Sequence, residues 1–141
     1  MAVRTILAVV VVAVVWVGLD AVIHGYLLAP AYEATSDLWR PPGEMMGGLG
    51  MTVTVVQAAC FALVYALLVR PKSVAMGLAW GALYGVAMGL GMGLGTYCYM
   101  PLPLSLAAAW FGATVLKALA AGALAALVVG KPKAEAPVAA A

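Results

Sequence analysis

The chain has 141 residues, of which 67% are hydrophobic and only 9% charged, with a formal net charge of +2. A soluble domain carries about 25% charged residues, so this composition excludes a water-facing globule and fits a chain whose solvent is lipid. No basic patch with interleaved aromatics is present, which leaves nucleic acid without an electrostatic footprint.

A helix needs about 20 apolar residues to cross the hydrocarbon core, and four stretches qualify: about residues 5–28, 47–69, 74–95 and 104–129. Lipid offers no partner to an unpaired backbone amide, and four strands could not close a barrel, so helices are expected. The predicted fold is all-α: a single four-span transmembrane domain over residues 1–130, an up-down-up-down bundle.

The first span follows Arg4 and carries Asp20 and His24, spaced i, i+4 and therefore on one face. Arg4, the apolar run and Ala29-Pro30-Ala31 loosely imitate a cleaved signal peptide. The length of the run and its two ionisable residues favour a retained helix. The connection that follows holds Trp39, Arg40 and Glu44 among prolines, which interrupt helices. It reads as an anchor at headgroup level, with Arg40 tied locally to Glu33, Asp37 or Glu44.

The second span ends at Arg70 and Lys72, and the third carries glycine at 77, 81, 85, 89 and 93. Positions four apart share one helix face, and bare backbone there lets a neighbouring helix approach closely. Intramolecular packing is the first reading, a homo-oligomer interface the second, and a conduction path lined by bare backbone the third. Gly91 and Gly95 lie off this stripe, so the end of the helix is expected to be kinked or loosened.

Tyr97 to Pro103 forms a short aromatic turn before the fourth span, which holds Lys117. Asp20 lies roughly 12 Å from its end of the bilayer and Lys117 roughly 20 Å, at 1.5 Å per residue. The lysine side chain leans back toward the same end. An Asp20–Lys117 pair joining the first and fourth spans is therefore expected. It serves either as a structural tie, with His24 beside it, or as part of a polar pocket, because ionisable groups inside a membrane are costly and mark candidate sites. After Gly130 the tail, residues 131–141, reads as a disordered segment.

Neither a catalytic motif nor a phosphate loop appears, and no cofactor is implied. Zinc is disfavoured by a single histidine; a copper site on Met45, Met46, Met51, Met88, Met92, Met100 and Cys98 is the weaker reading beside ordinary apolar packing. Cys60 and Cys98 fall at different depths and are not expected to form a disulfide.

Arg4, Arg70, Lys72, Lys131 and Lys133 lie at one end of the spans and Arg40 at the other, so the positive-inside rule places both termini in the cytoplasm. Asp20, His24-Gly25, Leu28, Tyr32, Leu38-Trp39-Arg40-Pro41 and Glu44-Met45, with Tyr99 to Leu106 and Ala109-Trp110-Phe111, carry a likeness over nearly the whole chain. The chain resembles a group of small uncharacterised four-span bacterial membrane proteins. That resemblance implies an inner-membrane location and the same layout, and no activity. The expected function is a non-enzymatic structural or accessory component acting through helix packing. The alternative is a small oligomeric transporter or ligand-binding protein using Asp20, His24 and Lys117. The expected partners are the bilayer and a second copy of the chain.

Overall fold

A computed structural model describes residues 2–130 of the chain. Lys131, Lys133 and the expected disordered tail lie outside the described residues. Helix α1 (Ala2–Val22) runs on through a π-helical turn (Ile23–Leu27), followed by a short α2 (Ala29–Glu33). Helices α3 (Gly47–Leu68) and α4 (Val74–Gly89) come next; α4 continues as a second π segment (Leu90–Gly95), and α5 (Leu104–Val129) closes the bundle. Four helical segments, Ala2–Leu27, Gly47–Leu68, Val74–Gly95 and Leu104–Val129, are long and apolar enough to cross a membrane. No strand occurs among the described residues. The protein is an all-α, multi-pass membrane protein.

Helix α5 packs against both α4 and α1, while α3 packs on α1 and touches α5 less extensively. All five stripe glycines of the third span face α5. A Cβ on Gly77 would run into the Gly122 carbonyl oxygen, on Gly81 into that of Ala118, and on Gly93 into that of Ala107. On Gly85 a Cβ would lie 2.8 Å from Val115 Cα, and on Gly89 3.0 Å from the Phe111 ring. The stripe is filled from within the chain and offers no face to a second copy. Helix α5 answers it with its own small residues, Ala118, Gly122 and Ala126, one turn apart.

The opposite seam, between α3 and α4, is built from large rings. Phe61 stacks on Trp80 at 5.4 Å and meets Tyr84 edge-on at 5.0 Å, and Trp16 from α1 joins them 5.5 Å from Phe61. Trp80 Nε1 donates to the Phe61 carbonyl at 3.3 Å, so the ring also satisfies its N–H inside the bilayer. Ala8, Val12, Ala62, Tyr65, Ala118, Ala121 and Ala125 fill the rest of this core and are fully buried.

At one end of the bundle Arg4 Nη1 donates to the Gly130 carbonyl at 2.6 Å, which brings the start of α1 to the end of α5. Lys72 Nζ donates to the carbonyls of Tyr65 and Val69, closing the end of α3. Both cations sit where terminal carbonyls lack helical partners. We call this the basic end, and the opposite one, with the 28–46 and 96–103 connections, the loop end.

Three expectations change at the loop end. Pro30 stands in the first turn of α2, where its missing N–H is not needed, so the first connection starts as a helix. Ahead of it the chain widens into the π turn, because Pro30 has no N–H for the carbonyl four residues back. Arg40 is exposed and forms no ion pair among the described residues, since Glu33, Asp37 and Glu44 point into solvent around it. Trp39, expected to face the headgroups, packs on Tyr32 and Trp110, 5.6 and 6.0 Å between centroids. The loosening expected near Gly91 and Gly95 is present as the second π segment. Cys60 and Cys98 are both free.

Gly81→Ala is expected to lower stability by about 1–3 kcal/mol, the usual cost of overpacking a tight interface. Gly112→Ala, where a Cβ meets nothing within 4 Å, should be neutral or slightly stabilising. Thermal melts of the two variants in one mild detergent check the contrast; equal losses would mean the α4–α5 contact is not backbone-tight.

Candidate functional site

The three ionisable residues of the spans come together near the loop end. Lys117 Nζ on α5 bonds Asp20 Oδ1 on α1, and His24 Nε2 lies 3.6 Å from the same oxygen. Trp16 Nε1 donates to the Lys117 backbone carbonyl at 3.0 Å, and its ring lies 5.7 Å below the ammonium. The pair therefore ties α1 to α5 at two points, one ionic and one through the indole.

Beyond Asp20 a hydrogen-bond chain leads toward the loop end. Trp110 Nε1 donates to the Tyr32 hydroxyl oxygen at 2.8 Å, and that hydroxyl lies 2.5 Å from His24 Nδ1. An indole N–H can only donate, so the Tyr32 hydroxyl oxygen accepts from Trp110. His24 Nε2 faces the acceptor-only Asp20 carboxylate, which assigns the proton of a neutral imidazole to Nε2, and Nδ1 then accepts from the Tyr32 hydroxyl. Burial raises the pKa of the Tyr32 hydroxyl above its ordinary value, against the opposing effect of the Trp110 bond. Trp39 covers this chain, with its Nε1 donating to Thr35 Oγ1 at 3.0 Å.

These groups line one wall of a cavity of about 400 Å³ among α1, α3, α5 and the second π segment. That size falls within the range of small-molecule sites. The other wall is Val53, Thr54 and Gln57 of α3, with Met92. Thr54 and Gln57 have no hydrogen-bond partner among the described residues, and no side-chain polar atom there is both fully buried and unpaired. Their polar atoms therefore open into the cavity. The Asp20, His24 and Lys117 side chains are 26%, 37% and 16% exposed. A smaller recess of about 30 Å³ continues below, between Gln57, Tyr84, Met88 and Lys117, with room for about two waters. Tyr84, which lines this recess, belongs to the Phe61–Trp80–Tyr84 ring cluster between α3 and α4.

On the other side, Tyr32 and Trp39 also form the back of a vestibule of about 630 Å³ with Leu38, Arg40, Met45 and Met46. Both π segments, which often mark functional positions, border the cavity: one carries His24 and the other Met92. Among the described residues no group of three or more His, Cys, Asp and Glu could hold a metal ion.

The structure thus joins Asp20, His24 and Lys117, places Trp39 over them, leaves Arg40 at the vestibule, and keeps Glu44 and the glycine stripe away from the site. Sequence reasoning missed Tyr32, Thr54, Gln57, Trp110 and Thr114. Gln57 was the most legible of these, as a lone amide side chain within an apolar span.

Comparison with protein-family models, with curated proteins and with solved structures finds no match to this chain.

Lys117→Ala should strand the Asp20 charge and lower stability by about 3 kcal/mol, the lower end of the cost of breaking a buried pair, because Asp20 stays partly exposed. Asp20→Ala combined with Lys117→Ala should recover part of that loss. A double-mutant cycle by detergent melt measures the coupling; strictly additive losses would mean that the two groups do not stabilise each other.

Proposed function

We propose that this protein binds a small polar ligand in its intramembrane cavity, as a non-enzymatic multi-pass protein of the bacterial inner membrane with both termini cytoplasmic. The observation that carries the reading is the opposed pair of walls. Thr54 and Gln57, without protein partners, face Asp20, His24 and Lys117 across open space. An unpaired amide in hydrocarbon costs several kcal/mol, so water or a ligand must complete that wall. The orientation rests on the clustering of Arg4, Arg70 and Lys72 at one end, and the bacterial setting on the sequence resemblance alone.

The cavity can present a carboxylate, an ammonium, an imidazole N–H and an amide to one bound molecule. Because Asp20 and Lys117 neutralise each other, a neutral or zwitterionic ligand enters without stranding a charge. We read the ring cluster that Tyr84 shares with Phe61 and Trp80 as a barrier beyond the recess, which favours capture from the loop end over passage through the bundle.

A second reading, a structural component without a ligand, is favoured by the double tie between α1 and α5. The glycine stripe, read first as packing within the chain, is occupied by α5, so it offers this reading no surface for another protein.

Native mass spectrometry of protein extracted in mild detergent tests the proposal. A small-molecule adduct is expected on the unmodified chain, reduced at least about tenfold by Gln57→Leu or His24→Phe, each removing about 1.4 kcal/mol or more of polar contact. Retention of the same adduct by both variants, or a bare mass throughout, would count against a ligand site.

A further inference from the structure

A second recess, of about 490 Å³, opens at the basic end and takes no part in the loop-end cavity. Arg4 from α1 and Lys72, with Ser73, from the turn before α4 line its mouth. Leu7 on α1, Val74 on α4 and Leu127 on α5 line it further in. It is therefore polar where a headgroup lies and apolar where acyl chains begin.

Among the described residues the charge at its mouth is uncompensated. The described acidic residues, Asp20, Glu33, Asp37 and Glu44, all lie toward the loop end, and neither Arg4 nor Lys72 has an ion-pair partner among the described residues. Their contacts are to neutral carbonyls: Arg4 to Gly130, Lys72 to Tyr65 and Val69. Those bonds fix the two cations in place and leave guanidinium N–H groups free to donate, since Arg4 has five donors and Nη1 uses one toward Gly130. Burial first, and then the charge of Arg70, hold the Lys72 ammonium below its ordinary pKa.

We propose that this recess is a binding site for an anionic phospholipid, its phosphate held between Arg4 and Lys72 and its first acyl segment lying in the groove floored by Leu7, Val74 and Leu127. Basic pockets between transmembrane helices on the positively charged side suit such headgroups. The apolar floor selects a lipid over a free anion, because inorganic phosphate would leave that surface unfilled.

The test uses the full chain in mixed micelles supplied with equal amounts of phosphatidylglycerol and phosphatidylcholine, read by native mass spectrometry. A one-to-one phosphatidylglycerol adduct is expected to predominate. Arg4→Gln and Lys72→Gln should each weaken it about fivefold, and the double variant about thirtyfold, from roughly 1 kcal/mol per cation at a membrane surface. Arg4→Lys with Lys72→Arg keeps both charges and should keep the adduct, which separates charge from any loss of fold in the glutamine variants. Inorganic phosphate forms the second arm, and short-chain phosphatidylglycerol at the same concentration should displace the adduct where phosphate does not. Equal retention of the two lipids, a double glutamine variant with unchanged selectivity, or displacement by phosphate alone would each overturn the proposal.

Discussion

The contact between α4 and α5 shapes everything around it. Five glycines remove the side chains from one face of the third span, and the α5 backbone lies against the gap. Lipid tails compete equally for any apolar surface, so dispersion between close backbones holds such helices together. On the other side of α4 the spacing to α3 is set by Phe61, Trp80 and Tyr84, large rings that hold the helices apart while filling the space between them. One seam is tight and the other is propped open. Toward the loop end the props run out, because α3 there presents Val53 and Thr54 and the second π segment presents Met92. A cavity at that level follows from the unequal seams.

Into that cavity the chain places groups that an apolar solvent penalises. Asp20 is shared between Lys117 and His24, and the donor order from Trp110 through Tyr32 to His24 leaves each hydrogen with an acceptor. The same economy extends to all four tryptophans. Trp16 and Trp80 donate to backbone carbonyls of neighbouring helices, and Trp39 and Trp110 to hydroxyls in the loop-end cluster. Gln57 and Thr54 stand outside this order, which is why they carry the functional reading. At the basic end Arg4 and Lys72 do the opposite work: they cap helix carbonyls and keep a positive charge at the surface.

The four spans were legible because hydropathy over some 20 residues is a strong, one-dimensional signal. The Asp20–Lys117 pairing was legible too, since charge inside a bilayer has few solutions and depth along each helix can be counted. The partner of the glycine stripe was not, although Ala118, Gly122 and Ala126 recur on α5 with the same spacing and were the available clue. A stripe of small residues says that something comes close without saying what. Trp39 reads as an interfacial anchor by position, and only the turn of the 28–46 connection brings it onto Tyr32 and Trp110. The missing Arg40 ion pairs have the same origin, because sequence proximity does not fix where exposed side chains point.

The central claim is that the bundle is open to water at the loop end down to the Asp20–Lys117 level and closed beyond it. Gln57→Cys, in a background with Cys60→Ser and Cys98→Ser, places one thiol on the cavity wall for labelling with a membrane-impermeant maleimide. The account predicts modification when the reagent is applied to the face carrying the 28–46 connection, and none when it is applied to the face carrying Arg70 and Lys72. A thiol that stays unlabelled from both faces, or reacts only from the basic face, would contradict it.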